Sequence, residues 1–268
     1  MIKLALLGIP HDEHSSFLRG SAEGPAYIRR ELFTDAYTNT SETGVDLTAP
    51  GRVRDLGDLE FDATEDPWAV IEREVGLALG SGDRLICLGG DHAVTYPILR
   101  GVRPRHPSLT ILHIDAHPDI YHAYQGNPRS HASPFARIME EGLCDRLIQI
   151  GLRAIDAEHR DQFKRFGVEA IEAGRGTDSL DLNLSTPVYL SLDIDALDPA
   201  FAPGVAHREP GGLSTRQVID LIQAIDRPIV AADIVEYNPR CDIAGLTAGV
   251  AAKLVKEIGG MMVRTSGG

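Results

Sequence analysis

Short apolar runs alternate along the chain with segments that have helical spacing. Six runs are nearly continuous in apolar residues, and each is followed directly by Gly or Asp. Runs of this kind predict strands of a parallel sheet that is covered on both faces, with helices in the segments between them. The predicted strands are 3–7, 85–88, 109–114, 147–150, 188–192 and 229–232, and the predicted helices include 69–79, 134–141, 215–225 and 243–258.

This order of elements predicts an α/β fold: a single three-layer α/β/α domain over residues 1–268, with a parallel sheet of about eight strands. The 268-residue chain is 43% apolar, which is enough to bury a sizeable core. Residues 34–51, rich in Thr, Asn, Glu and Gly, predict a surface loop. Residues 1–9 are interpreted as a first buried strand rather than a signal peptide, because the apolar run is short. No run approaches the ~18–20 residues that cross a bilayer.

Net charge and cysteine content limit the partners and the compartment. The formal net charge of -13 argues against nucleic acid or an anionic membrane as a partner, and weakly favours a cationic ligand. The three cysteines, Cys87, Cys144 and Cys241, form neither a disulfide framework nor a thiolate metal motif. A reducing compartment is therefore expected, and we predict a cytoplasmic protein.

Polar residues that are costly to bury follow four of the predicted strands. In an open parallel sheet, ligands bind outside the carboxyl ends of the strands. These residues are therefore expected to lie together along the carboxyl-terminal edge of the sheet. The four stretches are GGDH at 89–92, DAHPD at 115–119, DIDALDP at 193–199 and DIVEYNP at 233–239. A functional site at this edge is the prediction that follows.

Alternation along extended chain brings specific side chains of these stretches together. Residues two apart share one side, so Asp115, His117 and Asp119 can converge, as can Asp193 and Asp195. Four carboxylates this close repel one another unless cations lie between them. Imidazole with carboxylate and no thiolate suits a harder metal such as Mn²⁺, and a bridged metal pair activates water at neutral pH. We therefore expect two divalent metals.

Several of these residues also have a purely structural interpretation. Asp91 can cap a helix after a tight Gly-Gly turn, and Asp198 before Pro199 is assigned to turn chemistry. His113, inside an apolar run, is expected to be a hydrogen-bonded core histidine. The histidines expected in surface or turn positions are His11, His14, His106, His159 and His207.

The three acidic motifs, taken in order, resemble the signatures of the ureohydrolase family, which includes arginases and agmatinases. They are GGDH at 89–92, DAHPD at 115–119 and SLDIDALDP at 191–199, and the resemblance covers roughly residues 4–258. It is weakest over 34–66. The sequence of residues 126–142, 198–214 and 235–239 is similar to that of plant-type arginases and bacterial agmatinase-like enzymes.

The resemblance implies two Mn²⁺ per chain, the arginase-like fold, and a homo-oligomer, either a trimer or a hexamer. One metal is then held by His92, Asp115, Asp119 and Asp193, and the other by Asp115, His117, Asp193 and Asp195, with Asp115 and Asp193 bridging. Glu236 matches the glutamate that binds the guanidinium group, and His131 matches the catalytic histidine that protonates the leaving amine. Asp233 is a candidate for supporting the ligands from behind.

The far end of the substrate is the least determined part of the prediction. Residues 120–130 differ from the stretch by which animal-type arginases hold an amino acid's carboxylate, while Asn127 and Ser130 are candidates to reach it. We expect the hydrolysis of a guanidino compound to urea and an amine. Agmatine to putrescine comes first, and arginine to ornithine, a guanidino acid or formiminoglutamate are the alternatives.

Three other classes of protein are alternatives to a ureohydrolase. Metallophosphoesterases need Gly-Asn-His-Glu/Asp and Gly-His-x-His strings, and neither occurs here. Zinc deacetylases share the fold in outline but hold one metal and would lack the His92 ligand. A metal-binding pseudo-enzyme is the non-enzymatic alternative, although it predicts the loss of a ligand and all six are present, as are His131 and Glu236.

Overall fold

An all-parallel sheet of eight strands forms the centre of the molecule, whose computed structural model describes residues 3–80, 82–174 and 180–265. The strands are β1 (Leu4–Gly8), β2 (Val53–Asp58), β3 (Arg84–Leu88), β4 (Thr110–Ile114), β5 (Arg146–Leu152), β6 (Glu169–Glu172), β7 (Val188–Asp193) and β8 (Ile229–Val235). Their order across the sheet is β2-β1-β3-β8-β7-β4-β5-β6, and every neighbouring pair is parallel. The predicted α/β fold with a parallel eight-stranded sheet is confirmed.

Helices cover both faces of the sheet. They are α1 (Gly24–Leu32), α2 (Pro67–Leu79), α3 (Thr95–Val102), α4 (Pro134–Glu140), α5 (Ala157–Phe166), α6 (Thr215–Gln223) and α7 (Leu246–Arg264). Two apolar clusters result, one with α1, α6 and α7, and the other with α2, α3, α4 and α5. Because side chains alternate along a strand, Leu4 and Leu6 of β1 enter the first cluster, and Ala5 and Leu7 enter the second. The three-layer arrangement is thus built into each central strand.

Two strands that the apolar pattern did not predict lie at the two edges of the sheet. β2 has the sequence VRDLGD and β6 has the sequence EAIE, and neither contains a fully buried residue. An edge strand buries little of its surface, so it carries no continuous apolar run. The segment 34–51 is a loop, as predicted, with one isolated bridge between Thr40 and Asp46. Its Leu47 is buried against the core.

The four strands that carry the polar motifs are consecutive in the centre of the sheet. Their order is β3-β8-β7-β4, so the four motif-bearing loops leave the sheet side by side, at the carboxyl ends of its strands. Parallel pairing aligns their carboxyl ends, which is where ligands bind in open α/β sheets. Within the described residues, no helix combines the length and the apolar character needed to cross a membrane.

Candidate metal centre

The six predicted metal ligands lie together at the carboxyl ends of the central strands. His92 follows β3, the 115–119 turn follows β4, and Asp193 is the last residue of β7. All except His117 are buried, and His117 is partly buried. The chain leaves each strand in a tight turn in which the carboxylate accepts a backbone N–H two residues on. His117 N donates to Asp115 Oδ1 at 2.6 Å, and Asp195 N donates to Asp193 Oδ1 at 2.7 Å.

One group of ligands surrounds the imidazole of His92. Its Nδ1 lies 3.1 Å from Asp115 Oδ2, 2.9 Å from Asp119 Oδ2 and 3.2 Å from Asp193 Oδ2. This is the first of the two ligand sets that the family resemblance implies. One donor atom from each of the four side chains lies within 4.8 Å of the others, a spacing that can hold a metal ion.

The hydrogen bonds behind His92 determine which ring nitrogen faces this group. The Asp233 carboxylate accepts from the hydroxyls of Thr95 and Tyr189, and from Ser191 Oγ at 2.7 Å. Since the Ser191 proton is given to Asp233, its oxygen accepts from His92 Nε2, 3.0 Å away. In the neutral ring His92 Nδ1 therefore keeps its lone pair; this atom faces three carboxylates and has no hydrogen-bond partner. A bound cation satisfies such a donor set.

A second group of ligands is formed around His117. Its Nδ1 lies 3.0 Å from Asp195 Oδ2 and 3.6 Å from Asp115 Oδ1. Asp115 thus offers one oxygen to each group, as expected of a bridging ligand. Asp193 belongs only to the first group in this structure, whereas the resemblance assigns it to both, and its Oδ1 accepts the Asp195 N–H.

The electrostatics of the cluster favour a cation. Burial, together with the neighbouring Asp195 and Asp115, raises the pKa of Asp193 well above its usual range. Burial also raises the pKa of Asp195 to about 6, against the lowering effect of His117. Carboxylates whose negative charge is this unfavourable are stabilised when positive charge is placed between them.

The predicted catalytic pair lies beside the cluster in a cavity of about 190 Å³. His131 Nδ1 is 2.7 Å from Glu236 Oε1, and His131 Nε2 is 2.9 Å from Ser16 Oγ. Burial lowers the pKa of His131, but the Glu236 carboxylate outweighs this effect and raises the pKa to about 9. Glu236 also accepts the backbone N–H of His92 at 2.9 Å, which fixes its position relative to the first ligand group.

Two predicted site residues lie outside the described lining of this cavity. Asn127 is exposed, and its side chain accepts the backbone N–H of Arg129 at 2.9 Å. Ser130 is buried, and its Oγ accepts the backbone N–H of Ala132 at 3.3 Å. Both side chains bond within their own loop in this structure, and contact of Asn127 or Ser130 with a substrate stays a prediction.

Several cavity residues were not predicted, and all of them except His159 come from irregular loops without periodicity. They are Ser16, Tyr121, Tyr124, Ala132, Ala154, His159, His207 and Glu209. The surface or turn assignment is wrong for His159, which is buried, caps α5 with Asp156 and lines the cavity. His207 is partly buried, with its ring centroid 5.3 Å from that of His131. The only sequence signal for His159 was its position three residues after Asp156.

The other structural assignments have mixed outcomes. Asp91 caps the turn at 92–94 by accepting the N–H of Ala93 at 3.1 Å, as predicted. Asp198 accepts the backbone N–H groups of Ala200 and Gly211, which confirms its turn role. His11, expected at the surface, is buried against Phe61. His14 and His106 are partly buried.

Comparison with known proteins agrees with this geometry. The family model described as the arginase family matches residues 2–260. The mitochondrial arginase of Medicago truncatula is 42% identical over 96% of this chain and 81% of its own length. The N(1)-aminopropylagmatine ureohydrolase of Thermus thermophilus is 36% identical over 88% of this chain and 83% of its own length. The solved structure of the Medicago truncatula arginase superposes with a TM-score of 0.90 at 41% identity, covering 97% of this chain and 87% of that one. The chain belongs to the arginase family of amidinohydrolases.

Proposed function

We propose that this protein is a dinuclear manganese arginase that hydrolyses arginine to ornithine and urea, with the whole chain as its catalytic domain. The observation that carries the choice of arginine is the 42% identity with a plant arginase over 96% of the chain. The aminopropylagmatine ureohydrolase is less similar, at 36% over 88%. This choice reverses the order expected from the sequence, which placed agmatine ahead of arginine.

Two Mn²⁺ ions fit the two ligand groups. His92, Asp115, Asp119 and Asp193 would hold one ion, and Asp115, His117 and Asp195 would hold the other. Nitrogen and carboxylate oxygen without thiolate is a donor set that suits Mn²⁺. A bound metal pair supplies positive charge and an activated water.

Glu236 is suited to hold the guanidinium group of the substrate. Its Oε1 is already occupied by the His92 N–H and by His131, so Oε2 is the oxygen available to a substrate. A planar guanidinium donates several N–H groups in fixed directions, and a fixed carboxylate orients its carbon for attack. The pKa of Glu236 is lowered by His131 against the effect of burial, so it stays ionised at neutral pH.

His131 is suited to give a proton to the leaving amine. Its Nε2 faces Ser16 at the cavity, and its Nδ1 is held by Glu236. In the metal-free protein burial lowers the pKa of His131, while Glu236 and the neighbouring carboxylates raise it to about 9, and this favours the protonated ring that a proton donor needs. Ser16 Oγ lies at hydrogen-bond distance and can receive or pass on this proton.

Agmatine is a second candidate because of the character of the cavity. Among its described lining residues none is Lys or Arg, while Glu209 adds a further carboxylate near the mouth. An α-carboxylate would thus rely on hydroxyl groups such as those of Ser16, Tyr121 and Tyr124. Agmatine carries no carboxylate and needs no such partner. The guanidino acids and formiminoglutamate carry a carboxylate and lack the neighbouring amine, so they suit this cavity less well.

A urea-release assay with Mn²⁺-loaded protein tests the proposal. Urea is measured for arginine, agmatine, 4-guanidinobutyrate and 3-guanidinopropionate, and formamide is measured for formiminoglutamate, whose formimino carbon lacks the third nitrogen that urea formation needs. Asp193→Ala serves as the metal-site control. We expect kcat/KM for arginine to exceed that for every other compound by about tenfold or more, corresponding to about 1.4 kcal/mol. A higher value for agmatine would establish the second candidate. Neither urea nor formamide from any substrate, with two metals bound per chain, would indicate a pseudo-enzyme.

Assembly and location stay predictions. The family resemblance implies a trimer or hexamer, which sedimentation of the purified chain measures directly. A cytoplasmic location is expected from the cysteines, whereas the Medicago truncatula relative is named as mitochondrial.

A further inference from the structure

We infer that His113, held in one tautomer by Gln149, is a positioning residue that fixes the bridging carboxylate Asp115 and thereby sets the metal affinity. This inference rests on the proposed metal centre. His113 is completely buried in β4, two residues before Asp115, and its Nε2 lies 2.7 Å from Asp115 Oδ2. The family motif itself does not include His113 or Gln149.

The proton position on His113 follows from its neighbours. Gln149 is the cross-strand neighbour of His113 on β5, and its Nε2 lies 2.6 Å from the carbonyl oxygen of Pro118. A carbonyl only accepts, so Gln149 must present its NH₂ group there and not its Oε1. The second N–H of this group points at His113 Nδ1, 2.9 Å away. His113 Nδ1 is therefore the acceptor, and its Nε2 carries the proton that is donated to Asp115.

A stacking contact on the face of the His113 ring also restricts its rotation. Phe135 of α4 stacks on it with ring centroids 4.0 Å apart and an interplanar angle of 28°. Both ring nitrogens have partners, and Asp115 receives one N–H on each oxygen, from His113 on Oδ2 and from the His117 backbone on Oδ1. Each oxygen keeps a lone pair for one of the two ligand groups.

An alternative role for His113 as a metal ligand is disfavoured by these contacts. His92, His113 and Asp115 are close enough to form a three-residue group. However, the Nε2 lone pair of His113 is replaced by the proton given to Asp115, and Nδ1 accepts from Gln149. Gln149 Oε1 is buried without a hydrogen-bond partner, so both hydrogen bonds that hold this side chain are made by its NH₂ group.

Mn²⁺ titration of metal-free protein, with free Mn²⁺ measured by EPR, tests the inference. His113→Phe keeps an aromatic ring against Phe135 and removes the donor, and should weaken the binding of at least one Mn²⁺ about ten- to a hundredfold. His113→Gln places an amide donor near the position of Nε2 and should recover most of the affinity. Gln149→Leu should cause a smaller loss in the same direction.

Two comparisons separate positioning from simple core stability. Thr110→Val removes a buried hydrogen bond to Thr186 from the opposite end of β4, so it should lower the melting temperature and leave Mn²⁺ affinity at the parent value. Gln149 donates both to the His113 ring and to Pro118 O inside the ligand turn, and the double variant His113→Phe with Gln149→Leu separates these two contacts. Binding no weaker than in His113→Phe alone supports action through the ring, and a further loss overturns it in favour of direct support of the turn through Pro118.

The outcomes distinguish failure of the proposed function from failure of the positioning role of His113. If the parent protein binds no Mn²⁺, the proposed function fails. If it binds two ions and His113→Phe binds them equally well, the positioning role is overturned and the proposed function stands. If His113→Phe does not fold, Gln149→Leu decides: parental affinity overturns the role, and reduced affinity restored by Gln149→Asn or Gln149→His supports it.

Discussion

The role proposed for Glu236 depends on the direction of its carboxylate, and its backbone conformation shows how that direction is fixed. Glu236 has φ of 62°, and Asp119 among the ligands has φ of 47°, both in the left-handed region that non-glycine residues avoid. Such conformations cost about 1–3 kcal/mol each and persist where the surrounding structure enforces them. For Glu236 the enforcement comes from its own N–H, which donates to Gly90 O at 2.9 Å, and from the His92 and His131 contacts.

Glu236→Gln should weaken substrate binding far more than metal binding. The amide keeps the shape of the side chain but loses the charge that pairs with a guanidinium, which is worth roughly 2–5 kcal/mol in a buried site. We expect KM for arginine to rise by tenfold or more while Mn²⁺ affinity changes less than threefold. Steady-state kinetics and the Mn²⁺ titration measure the two effects, and an equal loss of both would assign Glu236 to the metal centre.

At the scale of elements, the apolar pattern predicted the strands that are buried and missed those that are exposed. The central strands β3, β4, β7 and β8 are buried on both faces, so each appears in the sequence as an apolar run that ends in its motif. The edge strands β2 and β6 are solvated and have no such signature. The loops that complete the cavity are held by irregular hydrogen bonds, such as those from Tyr121 N to Ala132 O and from His131 N to His14 O, which no periodicity encodes. The grouping of the proposed metal ligands was therefore predictable, and the rest of the cavity lining was not.

The packing of α2 against α3 offers a matched pair of glycines for testing this structure. Gly76 in α2 has Gly101 O as its nearest neighbour for an added Cβ, at 4.0 Å, which is an ordinary contact. An added Cβ on Gly101 in α3 would lie 2.7 Å from Glu72 O and 2.8 Å from Val75 Cγ1. Gly76→Ala should therefore stabilise the protein by about 0.5–1 kcal/mol, because alanine reduces the entropy lost on helix formation.

Gly101→Ala should destabilise the protein by about 1–3 kcal/mol, since the two helices must separate to admit the methyl group. Urea unfolding of metal-loaded protein measures both variants on the same scale, and neither residue contacts the metal centre. Equal effects of the two substitutions would contradict the close approach of α3 to α2 that the structure describes.

At the scale of the whole molecule, the fold buries carboxylates that repel one another in the metal-free protein, and a bound metal would relieve this repulsion. Several groups in the metal-free cluster have folded-state pKa values above their ordinary values: Asp193, Asp195, His92 and His117. Burial and the neighbouring Asp195 and Asp115 raise the Asp193 value, while carboxylates raise the two histidine values against the effect of burial. Each such group binds a proton more readily in the folded protein than in the unfolded chain.

Metal-free protein should therefore become more stable as the pH falls from 8 to 6.5. Where the folded state binds the extra proton, stability falls with rising pH by about 1.4 kcal/mol per pH unit for each such proton. Below pH 6.5 the sign reverses in part, because burial lowers the pKa of His14 to about 4, so the unfolded chain takes up that proton first. Mn²⁺ binding needs the deprotonated ligands, so added Mn²⁺ should raise the melting temperature more at pH 8 than at pH 6.5.

Thermal unfolding with a chelator and with Mn²⁺ at both pH values measures this difference. Asp195→Asn removes one charge from the cluster, so the metal-free variant should be more stable than the parent at pH 8 and should respond less to Mn²⁺. A metal-free parent whose melting temperature is unchanged or lower at pH 6.5 than at pH 8 would mean that the folded cluster takes up no extra proton in this range. In that case the buried carboxylates and imidazoles would not have the raised pKa values on which the prediction depends, and metal binding would not be needed to relieve repulsion among them.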